Sequence, residues 1–263
     1  ENQNRSKYIL KIGLIWSILL LFICAGCKHQ PTIQKYVETK KGGVVSAHPE
    51  ASKIGADILA KGGNAVDAAI AVQFALAVCY PIAGNLGGGG FMVYRSNDGE
   101  VNTLDFREKA PLKSTKNMFL DETGAFIPDM STEGIYAAGV PGTVDGMVAA
   151  FEKYSALRDW KSLIEPAQKL ASNGFRLTAS QAKNLNNYKS KFVRNNTGYI
   201  TPFNSEKLYK AGDLFKQSDL AATLSEIMNH KRAGFYKGSV AQSLLKQMEA
   251  MKGPMTQEDL DNY

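Results

Sequence analysis

Gly-Gly-Asn-Ala-Val-Asp-Ala-Ala-Ile-Ala-Val-Gln-Phe-Ala-Leu-Ala-Val-Cys-Tyr-Pro, residues 62–81, sets a helix between two breakers, and past the asparagine its only strongly polar side chains before the tyrosine are Asp67 and Gln73. A helix apolar nearly all round is a buried one, so this stretch predicts the central helix of a folded core. Asn64 is placed to cap its first turn and Pro81 to stop it. Its alanines suit close approach to a sheet. Working upstream, Gly62-Gly63 ends an earlier helix opened by His48-Pro49-Glu50, with Ile54, Ile58 and Leu59 at helical spacing, and Val44–Ala47 reads as a short buried strand.

Downstream, Gly84-Asn-Leu-Gly-Gly-Gly-Gly90 leads into two strand-like runs, Phe91–Ser96 and Val101–Phe106, joined by Asn97-Asp-Gly-Glu100. Asp-Gly between β-rich runs predicts a hairpin. From Pro141-Gly142 onward the pattern is mainly helical. Val144, Met147, Val148 and Phe151 share one face, as do Leu220, Leu224, Ile227 and Met228, and later Val240, Leu244, Met248 and Met251. Gly234 and Gly253 read as helix stops. No repeat, low-complexity tract or linker interrupts the pattern, which gives one α/β domain with a helical surround.

The 263 residues are 44% hydrophobic and 21% charged, with 24 Gly and 9 Pro, a globular composition that excludes disorder, collagen and coiled coil. Lys and Arg outnumber Asp and Glu by 31 to 25, but Arg5, Lys7, Lys11 and Glu1 lie in the first 26 residues. The remaining excess is spread thinly, with no block of like charge, and gives no footprint of a nucleic-acid binder.

Residues 1–26 read as a targeting segment: the three cations precede Ile12–Ala25, an apolar run shorter than the roughly 20 residues of a spanning helix. Its close, Cys24-Ala-Gly-Cys27, resembles the bacterial lipobox, with Cys24 where Leu is usual. That reading makes 1–26 a lipoprotein-type signal peptide and Cys27 the acylated first residue, with no Asp in Lys28-His29-Gln30 directly after it. The alternative is an uncleaved anchor with Lys11 snorkelling. Either way the protein is exported, and the lipoprotein reading places it in the periplasm or at the outer membrane. Residues 27–41 read as a tether and 42–263 as the folded domain. Only Cys79 then remains as a free thiol, so no internal disulfide is expected.

Several chemistries are excluded by spacing. There is no G-x-x-x-x-G-K-[ST], Met92 stands where G-x-G-x-x-G from Gly87 would need glycine, and no G-x-S-x-G elbow occurs. His29, His48 and His230 are isolated and no paired-Cys motif exists in the mature region, so no metal site is expected. The Gly87–Gly90 run is left with two readings: close backbone packing, or N–H groups lining a substrate pocket.

Taken in order, Gly42–Ser52, Gly62–Ala71, Asn85–Met92, Asp-Phe-Arg-Glu-Lys-Ala-Pro (105–111), Gly-Val-Pro-Gly-Thr-Val-Asp-Gly (139–146), Gly234-Phe-Tyr-Lys-Gly238 and Met255–Tyr263 resemble the γ-glutamyltranspeptidases, from about Lys41 to the last residue. The resemblance implies an α/β (α+β) N-terminal nucleophile hydrolase fold, an αββα sandwich of which the first part of the large-subunit half is present. It implies a precursor that cuts itself into two subunits and uses the Thr exposed at the start of the small one, whose α-amine, titrating near ~8, takes the hydroxyl proton. The implied reaction attacks the γ-glutamyl amide of glutathione and passes the γ-glutamyl group to water or to amino-acid or peptide acceptors, with no metal or organic cofactor. The family's Thr-Thr-His start of the small subunit is absent from these residues. The chain is therefore expected to be a fragment lacking the nucleophile, inactive by itself and completed by a self-derived small subunit in the longer protein.

One substrate contact carries over from the family: the Arg that binds the α-carboxylate of the γ-glutamyl group is here Arg107. A planar guanidinium suits a carboxylate through two parallel hydrogen bonds. The competing reading is an ion pair with Asp105 or Glu108, and Glu108 is expected to orient Arg107 or its loop. His48 and Asp67 are read as structural. Two other functions stay open: a related β-lactam-type acylase of the same fold, and a non-catalytic surface lipoprotein. Arg107 favours an α-amino-acid donor over the acylase.

Overall fold

The core is organised around α2 (Ala65–Cys79), and both of its ends are closed by side chains. In the computed structural model, which describes residues 38–196 and 198–263, Asn64 Oδ1 accepts from the N–H groups of Val66 and Asp67 at 3.0 and 2.9 Å, and Asp67 returns the bond to Asn64 N at 3.0 Å. This reciprocal capping box satisfies donors that the first turn leaves free. At the other end Gln217 and Gln181 donate to the carbonyls of Val78 and Cys79 at 2.8 and 2.7 Å. A buried helix end needs such partners, and distant glutamines supply them. The signal-peptide and lipid-anchor expectations, including Cys27, lie outside the described residues.

Around α2, Ile70, Phe74, Ala75 and Val78 are fully buried. Each large side chain among them contributes about 1.5–3 kcal/mol by leaving water. Among the described residues, the main neighbours of the alanine-rich helix are other helices: α1 (Pro49–Ala60), α3 (Thr143–Tyr154) and α4 (Trp160–Asn173). Close approach to α1 depends on Gly55, where a Cβ would come within 2.6 Å of Val72. Trp160 at the head of α4 packs edge-on against Phe74 and Phe151 and donates its indole N–H to Ile227 O at 2.9 Å. Ile227 belongs to α6 (Ser218–His230), which lies along α4.

Residues Gly42–Tyr263 form one compact unit. The hairpin forms as the sequence predicts: β1 (Phe91–Arg95) pairs antiparallel with β2 (Val101–Asp105), Phe91 opposite Asp105 and Arg95 opposite Val101, over a turn with Gly99 at φ +94°. Met92, Tyr94 and Leu104 pack against the core, while Phe91, Val93 and Val101 stand on the exposed face. A second two-stranded sheet joins β3 (Phe175–Arg176) to β4 (Leu214–Phe215), with α5 (Ala179–Asn195) between them in the chain. α7 (Ala233–Tyr236), α8 (Gly238–Ala250) and α9 (Gln257–Asp261) complete the unit. The class is α/β, and among the described residues its sheet content is these two antiparallel pairs.

Two local expectations are corrected. Val44–Ala47 is not a strand: no partner pairs with it among the described residues, Val45 is 98% exposed, and Ser46 instead bonds Ser52 Oγ and His48 O as a lead-in to α1. Gly234 does not stop a helix but lies within α7, where a Cβ would collide with the Glu226 carbonyl; the chain leaves α6 through Lys231 at φ +50°. Gly253 does close α8, its N–H reaching Met248 O at 2.6 Å.

Candidate functional site

Arg107 stands just past the end of β2, where the ladder runs one step beyond the strands: Phe106 N donates to Gly90 O at 3.0 Å and Gly90 N to Phe106 O at 3.2 Å. Two residues later Lys109 forms an antiparallel bridge with Val140. Arg107 and Glu108 are thus the free span between two paired points. Arg107 N donates to Asp105 Oδ1 at 3.0 Å, and the Arg107 carbonyl accepts from Tyr263 Oη at 2.7 Å. The guanidinium is exposed, 6.0 Å from the centroid of the Phe91 ring. Among the described residues no carboxylate lies within 4.0 Å of it, so neither Asp105 nor Glu108 takes it as an ion pair. Glu108 instead packs its stem where a Cβ on Gly139 would come within 2.9 Å.

The surrounding backbone is drawn in tightly. A Cβ at Gly89 would lie 2.8 Å from Arg107 Cα and Glu108 N, so the glycine run passes directly against the arginine loop. Gly88 O accepts from both Gly142 N (2.8 Å) and Thr143 N (2.9 Å), fastening the same run to the start of α3. Of the two roles open to Gly87–Gly90, close packing is the one these contacts display. Tyr236 Oη, fully buried, donates to Pro141 O at 2.7 Å, and its ring stacks on that of Tyr263 at 5.9 Å and 19°. Arg232 Nε holds Asp145 Oδ1 at 2.5 Å, and Asp259 Oδ1 receives Leu112 N at 2.6 Å. Burial pushes the Tyr263 phenol up to about 12, helped by Asp145, Asp105 and Glu108, and raises Tyr236 still further. Both hydroxyls remain protonated donors at neutral pH.

Five separated stretches, 85–92, 105–111, 139–146, 234–238 and 255–263, therefore meet around one arginine. Residues 51–263 match the family model described as gamma-glutamyltranspeptidase. The chain belongs to the γ-glutamyltranspeptidase family. The glutathione hydrolase proenzyme of Pseudomonas sp. (strain A14) is 44% identical over 265 residues, spanning 100% of this chain and 44% of that protein. The crystal structure of Helicobacter pylori γ-glutamyltranspeptidase superimposes with a TM-score of 0.82 at 47% identity, covering 87% of this chain and 65% of that one. A cephalosporin acylase from Bacillus halodurans shares the fold, with a TM-score of 0.75 at 24% identity over 89% of this chain and 45% of its own. The chain thus has the N-terminal nucleophile hydrolase fold of its family and spans less than half the length of the curated relative.

The other residues singled out in the sequence lie apart from this γ-glutamyltranspeptidase motif cluster. Asp67 is fully buried and accepts from Ser155 Oγ (2.5 Å), Asn64 N, Ala156 N and Leu157 N (3.0, 3.0 and 3.2 Å), pinning the α3–α4 connection to the head of α2. His48 caps α1 by accepting Glu50 N at Nδ1, 3.2 Å away, and its burial lowers its pKa. Each holds the start of a helix, Asp67 that of α2 and His48 that of α1. Cys79 is a buried free thiol pushed up to about 12 by desolvation. Among the described residues no cluster of His, Cys, Asp and Glu is arranged to hold a metal. Sequence reasoning missed Tyr263, Tyr236 and the Arg232–Asp145 pair. Their motifs could be matched to the family, but no spacing rule connects Tyr263 to a residue 156 positions away.

Proposed function

We propose that this chain is the large-subunit part of a γ-glutamyltransferase/glutathione hydrolase, and that Arg107 binds the α-carboxylate of the γ-glutamyl donor. The observation that carries this reading is the exposed guanidinium of Arg107, with no carboxylate partner among the described residues, at the point where the family's motifs converge. An exposed Arg on a loop tied at both ends is suited to a bidentate, charge-assisted contact with a carboxylate. The glutathione hydrolase relatives favour a γ-glutamyl substrate, with water, amino acids or peptides as acceptors, over the acylase and the non-catalytic lipoprotein. In this reading the nucleophilic Thr comes from a small subunit released by self-cleavage of the longer protein. Arg107 orients the donor while that Thr forms a γ-glutamyl ester, which water or an amine then opens.

The test is Arg107→Ala in the full-length protein, assayed with a γ-glutamyl anilide. Losing a charge-assisted contact of about 1.5–3 kcal/mol lowers kcat/KM by roughly 10- to 200-fold. The loss is expected to shrink for a donor whose α-carboxylate is replaced by a neutral amide, with self-cleavage unchanged; equal losses for both donors would sink the assignment. We further propose export to the periplasm or outer membrane through acylation of Cys27, for which the apolar 12–25 run and its Ala-Gly-Cys close are the support. Clickable palmitate is expected to label the wild type and not Cys27→Ala, and an unlabelled wild type would reject the anchor.

A further inference from the structure

Arg107 is a long side chain with an exposed tip, and its direction is inherited from its own peptide units. Those units sit in a gap of the hydrogen-bond ladder, since Phe106 pairs with Gly90 and Lys109 with Val140 while Arg107 and Glu108 pair with neither. The N–H of Arg107 is held only locally, by Asp105 two residues back. Among the described residues, the single long-range hydrogen bond to Arg107 comes from the Tyr263 phenol, 2.7 Å from its carbonyl.

That phenol has a seat of its own. It fills the space left by the missing Cβ of Gly142, since a Cβ there would overlap both the Tyr263 hydroxyl and the Phe106 carbonyl. One face of the ring is stacked on Tyr236, whose hydroxyl holds Pro141 O, and the Lys109 ammonium lies 4.8 Å from the ring centroid. The two tyrosines form a stacked pair in which each hydroxyl donates to one carbonyl, Tyr236 to Pro141 O and Tyr263 to Arg107 O. The Tyr263 hydroxyl, whose pKa burial raises further above the neutral range, is a protonated donor there.

We propose that Tyr263 is a positioning residue for Arg107, its hydroxyl fixing the Arg107 carbonyl against the head of α3 and thereby setting where the guanidinium is presented to an α-carboxylate. The proposal rests on the assignment of Arg107 as the donor's carboxylate site. It assigns Tyr263 no contact with substrate.

The experiment is a cycle in the full-length enzyme with Tyr263→Phe, Arg107→Ala and the double variant, each assayed with a γ-glutamyl anilide and with its α-carboxamide analogue. Tyr263→Phe removes one hydroxyl and keeps the ring stack. Loss of one net hydrogen bond raises KM for the carboxylate donor by roughly 2- to 10-fold, with kcat changed less than twofold. The carboxamide donor is expected to show no such change, and Tyr263→Phe is expected to add nothing in the Arg107→Ala background, where there is no guanidinium left to place. Equal penalties with both donors, a penalty that persists without Arg107, or no penalty at all would each overturn the proposal. So would failure of Tyr263→Phe to fold or mature, since the hydroxyl would then be a determinant of folding. If Arg107→Ala shows donor dependence and Tyr263→Phe does not, only this inference falls; if Arg107→Ala shows none, the carboxylate-site assignment falls and takes the inference with it.

Discussion

Replacing Asp67 by alanine should be among the most damaging single changes in the chain, and the cost follows from its contacts. The carboxylate is fully buried and serves four donors: the N–H groups of Asn64, Ala156 and Leu157 and the Ser155 hydroxyl. The hydroxyl can rotate to another acceptor, but the three N–H groups are fixed by the backbone. A buried donor left without a partner costs about 1–3 kcal/mol, and partial relaxation places the three at the lower end, for a total of about 3–5 kcal/mol. A domain of this size loses about 2–4 °C of melting temperature per kcal/mol, so Asp67→Ala should melt roughly 6–20 °C below the parent. Asp67→Asn keeps one acceptor oxygen and should fall between the two. Asp57→Ala is the control, since its ion pair with Lys53 at 2.6 Å is exposed and screened by solvent, and its loss should leave the urea midpoint nearly unchanged. The assay is urea unfolding followed by circular dichroism at constant m-value. An Asp67→Ala unfolding free energy within about 1 kcal/mol of the parent would refute the reasoning.

Two further outcomes can be checked in the same way. Gly142→Ala should destabilise by about 1–3 kcal/mol, because the new methyl meets the Phe106 carbonyl, which is held in the ladder and cannot move aside; an unchanged urea midpoint would contradict this. His48 is neutral in the fold, its pKa lowered from 6.5 by burial, so as pH falls below that value the unfolded chain takes up a proton first and stability drops until the lowered folded pKa is passed. The difference in urea midpoint between about pH 7.5 and pH 5 should be smaller in His48→Asn, which keeps a capping acceptor and removes the titration, and equal differences would rule the mechanism out.

Local rules made much of the fold legible. Asn64 as a cap, Ala65–Cys79 as the buried helix and the Asp-Gly turn between Phe91 and Phe106 are each decided by residues within a few positions, and each is found as expected. The failures have a common physical origin. Val44–Ala47 has strand-forming composition, but a strand exists only with a ladder partner, and Ser46 is spent on the head of α1 instead. An alanine-rich surface permits close approach without naming what approaches, and among the described residues its main neighbours are helices. Gly234 has the composition of a stop, yet its missing Cβ serves packing against the Glu226 carbonyl.

The site was legible in a different sense. Composition and spacing exclude phosphate loops, metal motifs and serine elbows, and by themselves favour an ordinary ion pair of Arg107 with Asp105 or Glu108; only family resemblance turns Arg107 toward a substrate carboxylate. The fold supplies the physical content. It removes both nearby carboxylates as partners, leaves the guanidinium exposed, and ties the peptide that bears it to a tyrosine 156 positions away. Glycines at 89, 139 and 142 are what make that tie possible, because each lets two stretches of backbone, or backbone and ring, come closer than a side chain would allow. The family's short motifs thus act as contacts of one object rather than as separate sites. A motif such as Gly139–Gly146 is therefore better tested by its effect on Arg107 than by a search for chemistry of its own.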